Sequence, residues 1–256
     1  MAGSRIPDIA PTPLPPLLAE VVDEAIGRGH RHDPVVGRTG GPAGNARLTA
    51  WAGMLLLGLT VIELVTVLDV QGLISWHIVV GTLLVPLALL KSGSTTWRII
   101  RYYAGNEAYR SAGPPPMLLR LLGPLVVVTT LGLLGTGLAL IALGQDAGRR
   151  PFLSILGLQL DTLSLHQALF LAFAVAAGLH LLARFIPALR LVTGKVADTV
   201  PARRARLAVM ALTAIVAIIT AVLVLGWSGA WRTGDRHHGH DDGLRSHISV
   251  VNLNRS

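Results

Sequence analysis

The stretch LSLHQALFLAFAVAAGLHLLARF, Leu163 to Phe185, decides the fold. It is apolar over enough residues to span the hydrocarbon of a bilayer, which takes about twenty. Two histidines interrupt it, His166 and His180, fourteen residues apart. At about 1.5 Å per residue they stand roughly 21 Å apart along a helix, and fourteen steps bring the side chain back to within about 40° of the same face. Ionisable groups at such depths are costly and mark functional sites. An upstream stretch, GLISWHIVVGTLLVPLALLK over 72–91, repeats the interval, with His77 followed fourteen residues later by Lys91.

Composition agrees with a membrane setting. Of the 256 residues 52% are hydrophobic and only 14% charged, and mean hydropathy is +0.59. A soluble domain carries roughly a quarter charged residues. With no cysteine, disulfides, thiolate metal sites and cysteine-ligated iron–sulfur clusters are excluded. The net charge of +8 belongs to arginine-rich cytoplasmic loops and not to a nucleic-acid surface.

The chain divides into three. Residues 1–47 are a polar tail rich in Pro and Gly, in which PLLAEVVDEAI has the pattern of a short helix. The tail lacks the apolar core of a signal peptide, so it is expected to stay in the cytoplasm. Residues 48–228 form an all-α membrane domain with five spans, at about 48–70, 73–90, 117–143, 163–185 and 207–227. Residues 229–256 are a His-rich tail. Within the spans, Pro86 is expected to kink the second helix. Gly132, Gly135 and Gly137 of the third allow close helix packing or the approach of a flat macrocycle. Trp97, Tyr102 and Tyr103 suit an interfacial aromatic belt. Glu63, in the last third of the first span, either reaches the outer interface or makes a proton or quinone contact.

Lys and Arg counts set the orientation. The N-terminal tail has five, the loop from Lys91 to Arg120 five, and the loop from Arg184 to Arg206 six, against none and two in the opposite loops. The positive-inside rule then puts the N-terminus in the cytoplasm and the C-terminus outside the cell membrane. The second and fourth spans run in the same direction, with His77 and His166 near the outer end and Lys91 and His180 near the inner end.

A six-coordinate haem iron takes one axial ligand from each side, so two parallel helices with ligands at one depth can clamp it. His77 and His166 meet that requirement. The inner level pairs His180 with Lys91, which has two readings. Either its neutral amine ligates a second haem, or its ammonium snorkels to the cytoplasmic headgroups. Phe170, Phe173, Ala176, Ala177 and Gly178 of the fourth span line macrocycle faces or simply pack.

The segments WHIVVGTLLVPLALLK, GPPPMLLRLLGP and LHQALFLAFAVAAGLHLLARF resemble the di-haem membrane cytochromes b. The helix count and short length look more like the bacterial cytochrome b561-like subunits that serve hydrogenases, formate dehydrogenases and molybdenum oxidoreductases. The likeness covers about residues 48–228. It implies a haem-binding bundle of four of the five helices, with haem b held by His77 and His166 and a second by His180. Lys91 departs from the bis-histidine pattern. It also implies electron transfer between an exported redox partner subunit and the quinone pool, with no soluble catalytic domain in this chain. Glu63, Arg98 and Arg101 are the candidates for a quinone contact. In the last segment His237, His238, His240, Asp241, Asp242 and His247 form either a divalent-ion site or a contact for the partner. The rival class is a small transporter or channel that uses His77, His166, His180, Lys91 and Glu63 for protons or metal ions.

The charge count has a direct test. A reporter active only outside the cell, fused after Ser256, is expected to be active, and the same reporter at the N-terminus silent. The reverse pattern would overturn the orientation.

Overall fold

A computed structural model describes residues 15–26, 33–114, 117–155, 158–193 and 200–229. Its helices are α1 (Pro16–Ala25), α2 (Gly41–Leu68), α3 (Val70–Tyr103), α4 (Glu107–Ser111), α5 (Met117–Gly148), α6 (Thr162–Thr193) and α7 (Arg203–Trp227). Helices α2, α3, α5, α6 and α7 are long and apolar enough to cross a membrane. The chain is therefore an all-α protein with five candidate spans, as the apolar runs imply. Between α5 and α6 a short hairpin pairs β1 (Leu153–Ile155) antiparallel with β2 (Leu158–Leu160). The histidine-rich segment 229–256 lies outside the described residues except for Gly229.

The helices run further than the apolar stretches. α2 begins at Gly41, so part of the expected tail is helical, and Ala43, Ala46 and Arg47 are buried. α3 continues past Lys91 to Tyr103, because nothing between them breaks a helix. Its one departure from helical dihedrals is at Leu73 and not at Pro86. The residues DVQGL are accordingly not an open loop. Asp69 alone separates α2 from α3 and caps the second helix by accepting from the Gly72 N–H at 3.0 Å. The apolar part of α5 ends at Gly144, whose φ of 78° is left-handed and open to glycine at little cost.

Four helices close into a ring. α2 packs on α3 and α6, and α5 packs on α6 and α3, which sets α3 and α6 across a diagonal. α7 lies outside the ring against α3, where Met210 joins Ala52 and Leu87 in a buried cluster. At the Lys91 end a polar lock ties α2 to α3. Asn45 Nδ2 donates to the Ser94 carbonyl at 3.0 Å, Ser94 Oγ donates to Asn45 Oδ1, and Thr49 and Ser94 share a 2.6 Å hydroxyl bond. Such bonds fix helix register where apolar packing alone discriminates poorly. α1 crosses the same end, held to α6 by the Glu24–Arg184 ion pair and by Arg190 Nη2 donating to the Ile26 carbonyl at 3.2 Å.

Arg206, only 6% exposed, clamps the start of α7 to the start of α2. It donates to the carbonyls of Pro201 at 2.7 Å, Val200 at 3.0 Å and Thr39 at 3.3 Å. Arg206→Met keeps the bulk and loses the fork, and is expected to cost on the order of 2 kcal/mol. The thermal midpoint in detergent should fall by several degrees, with Arg206→Lys recovering only part of it. An unchanged midpoint for Arg206→Met would show that the clamp carries nothing.

Candidate functional site

The expected pair meets across the ring. His77 of α3 and His166 of α6 have ring centroids 6.4 Å apart with planes at 87°. Each imidazole is held by a threonine that the sequence reading missed. Thr66 Oγ1 lies 3.0 Å from His77 Nδ1, and Thr136 Oγ1 lies 3.0 Å from His166 Nδ1.

The hydroxyl protons decide which way these bonds run. Thr66 Oγ1 donates to the Glu63 carbonyl at 2.6 Å. Thr136 Oγ1 donates to the carbonyls of Gly132 at 2.9 Å and Leu133 at 3.0 Å. Each hydroxyl has one proton, already used, so toward the histidine it can only accept. On that assignment both histidines carry their proton on Nδ1. Glu63 Oε1 also lies 3.0 Å from His77 Nδ1. The same assignment makes Nε2 the unprotonated nitrogen, the tautomer that binds a metal.

Glycines make room for this arrangement. A Cβ on Gly137 would stand 3.2 Å from His166 Cε1, and one on Gly81 would stand 3.2 Å from Glu63 Oε1. Of the three glycines singled out in α5, Gly137 faces His166, Gly132 faces Leu169, and Gly135 meets nothing within 4 Å. The first two are contacts with α6, which is the packing role. Glu63 does not reach for the outer interface. It turns inward to His77, with Oε2 buried and unpartnered among the described residues.

Two imidazoles bonded to opposite sides of one metal at about 2 Å each have ring centres on the order of 6 Å apart. An edge-to-face ring contact falls in the same range, about 4.5–7 Å. The tautomers separate the two. Rings that both present a bare Nε2 have no hydrogen bond to give each other, whereas a metal between them satisfies both. The donor set thus fits axial ligation of a haem. A bare metal ion is a poorer fit, since no group of three or more His, Cys, Asp or Glu converges among the described residues.

The Lys91–His180 level differs. Lys91 of α3 and His180 of α6 line one crevice, at the other end of the same diagonal. Lys91 turns toward α2, where a Cβ on Gly53 would lie 2.6 Å from its Nζ. His180 Nδ1 is buried with no partner among the described residues, so no acceptor fixes its tautomer. Of the fourth-span residues expected to line a macrocycle or pack, Ala176 is buried, Phe170, Phe173 and Ala177 are half-buried, and Gly178 faces open space. Arg98 and Arg101 are engaged elsewhere. Arg98 pairs with Asp33, and Arg101 stacks over Trp97 at 5.6 Å and Tyr109 at 5.9 Å. No family model, curated protein or solved structure matches this chain.

His166 owes its depth to a reciprocal cap at the start of α6. Ser164 N donates to Asp161 Oδ1 at 2.6 Å, and Asp161 N donates to Ser164 Oγ at 3.0 Å. The bond from the Ser164 amide holds the Asp161 carboxyl below the usual aspartate value of 3.8. A carboxyl shifted that way adds stability above its unfolded pKa and loses it as pH falls through the folded value. Slow exchange of the Ser164 amide is therefore expected to persist through mildly acid solution and to be lost only below the ordinary carboxylate range. Asp161→Asn should remove that pH dependence, and protection lost already near neutrality would sink the assignment.

Proposed function

We propose that this chain is a membrane b-type cytochrome, the electron-transfer subunit of an oxidoreductase and not a catalyst alone. It passes electrons between a partner redox subunit, an exported molybdenum or other dehydrogenase or reductase, and the quinone pool. One observation carries the proposal: the two histidines opposed across the α3–α6 diagonal, each with Nδ1 3.0 Å from a threonine hydroxyl. His77 and His166 would hold haem b as axial ligands, and the bound haem supplies one-electron chemistry at that level.

The chain's own residues do the rest. Thr66, Thr136 and the Glu63 carboxyl group hold the imidazoles in orientation. The glycines at 81 and 137 leave space for the carboxylate and the ring. The proposal carries a single haem, because the Lys91–His180 level lacks the second-nitrogen hydrogen bond that defines the His77–His166 level. Its orientation, with the N-terminus cytoplasmic and the His77–His166 level toward the outside of the cell membrane, rests on the Lys and Arg counts.

The transporter reading asks for groups staggered from face to face. Between the two levels, residues 78–90 of α3 and 167–179 of α6 contain no titratable side chain. That stretch is roughly 20 Å long. A proton relay has no side-chain step there.

The test is a dithionite-reduced minus oxidised spectrum with haem quantitation on the purified protein. One haem b per chain is expected, lost in His77→Ala and in His166→Ala. Thr136→Val, which keeps shape and removes the acceptor, should weaken haem retention about ten- to a hundredfold. Protein made with ample haem supply that holds none would overturn the cytochrome and favour the transporter.

A further inference from the structure

The inner crevice has a chemistry of its own. It measures about 60 Å³ and lies between α2, α3 and α6, with Lys91, His180 and Arg184 on its wall beside Leu57, Leu181 and Phe185. A water needs roughly 10–15 Å³ of such space, so the crevice has room for a compact oxyanion.

Its charges are unbalanced. Lys91 and Arg184 are two cations, and the carboxylate that reaches them is Glu24 of α1, bonded to Arg184. Lys91 Nζ has no acceptor among the described residues. A Cβ at residue 53 would displace it from its place against α2. His180 Nδ1 adds a buried, unpartnered polar atom at the same spot. Lys91 is half-buried, and an ammonium withdrawn from water without an anion is costly, more so beside a second cation.

We propose that this crevice binds an anionic phosphate group, with Lys91 and Arg184 as its charge partners and His180 Nδ1 as a further polar contact. Lysine serves phosphate as a compact point charge, and arginine as a fork. The site sits at the arginine-rich end of the bundle, where anionic headgroups collect, and basic pockets between membrane helices bind such headgroups. A phospholipid headgroup and free inorganic phosphate offer the same chemistry. The proposal does not rest on haem at the His77–His166 level.

Native mass spectrometry of the full chain in detergent tests it with three probes: phosphatidylglycerol, phosphatidylcholine and inorganic phosphate. Phosphatidylglycerol is expected to bind in preference to phosphatidylcholine, and Lys91→Gln to weaken it about ten- to a hundredfold. Lys91→Arg should recover most of that loss. Gly53→Ala, a small change that displaces the Nζ, should weaken binding in the same direction if Lys91→Gln folds poorly. Lys91-dependent binding of inorganic phosphate with no preference among lipids would make free phosphate the source. Binding of both anions that is indifferent to Lys91 and Gly53 would overturn the site. So would loss of a haem with Lys91→Gln, which would make the amine an iron ligand. Haem lost with His166→Ala while phosphate binding persists separates this site from the cytochrome reading.

Discussion

Everything at the His77–His166 level depends on two threonine hydroxyls that bridge their own helix carbonyls and the histidine rings. In water a threonine is free to donate or accept. Inside an apolar bundle Thr66 and Thr136 bond their own helix carbonyls, a common habit of hydroxyls in membrane helices. That local choice has a distant consequence. It obliges each hydroxyl to accept from an imidazole on another helix, which fixes the tautomer of both rings. Glu63 reinforces the choice at His77 only. The two rings are therefore equivalent in protonation and unequal in charge environment.

The ring of helices is arranged so that this can happen. α3 and α6 are not packing neighbours in the way α2 and α3 are, and their backbones leave a diagonal that side chains must cross. Close contact is delegated to the flanks. The Asn45–Thr49–Ser94 lock draws α2 to α3 at the Lys91 end, and Gly132 and Gly137 draw α5 to α6 toward the opposite end. Flanks held at both ends keep the diagonal open at a fixed width. A bundle packed only by leucine would have no reason to stop closing.

The number of spans, their order and the four ionisable residues at two depths were legible in the sequence, because bilayer thickness and helical rise fix lengths without reference to any partner. Helix ends were less so. Hydropathy stops where the lipid stops, whereas α2 and α3 continue on hydrogen bonds and on residues such as Arg47 that are buried against protein. Glu63 and Thr66, three residues apart on one helix face, offered a readable signal that both face the same neighbour. Thr136 offered none. Its meeting with His166 spans thirty residues and depends on how α5 and α6 rotate against each other. Pro86 was misleading for a related reason. Proline removes one donor, but the dihedrals stay helical there, and the break falls instead at Leu73, just after Asp69 restarts the helix.

The two levels look alike in sequence and differ in physics. Fourteen residues separate His77 from Lys91 and His166 from His180, and the symmetry of that interval invites the same cofactor twice. Ligation, however, needs more than a nitrogen at the right depth. It needs the other face of the ligand to be anchored, so that the lone pair is bare and aimed. His77 and His166 are anchored, and His180 is not. Lys91 has a charged neighbour in Arg184, while the nearest titratable neighbours of His77 are a carboxylate and another imidazole. An environment that gathers positive charge favours an anion over a metal centre. The equal spacing therefore records equal height along the bundle, while the surroundings of the two levels differ.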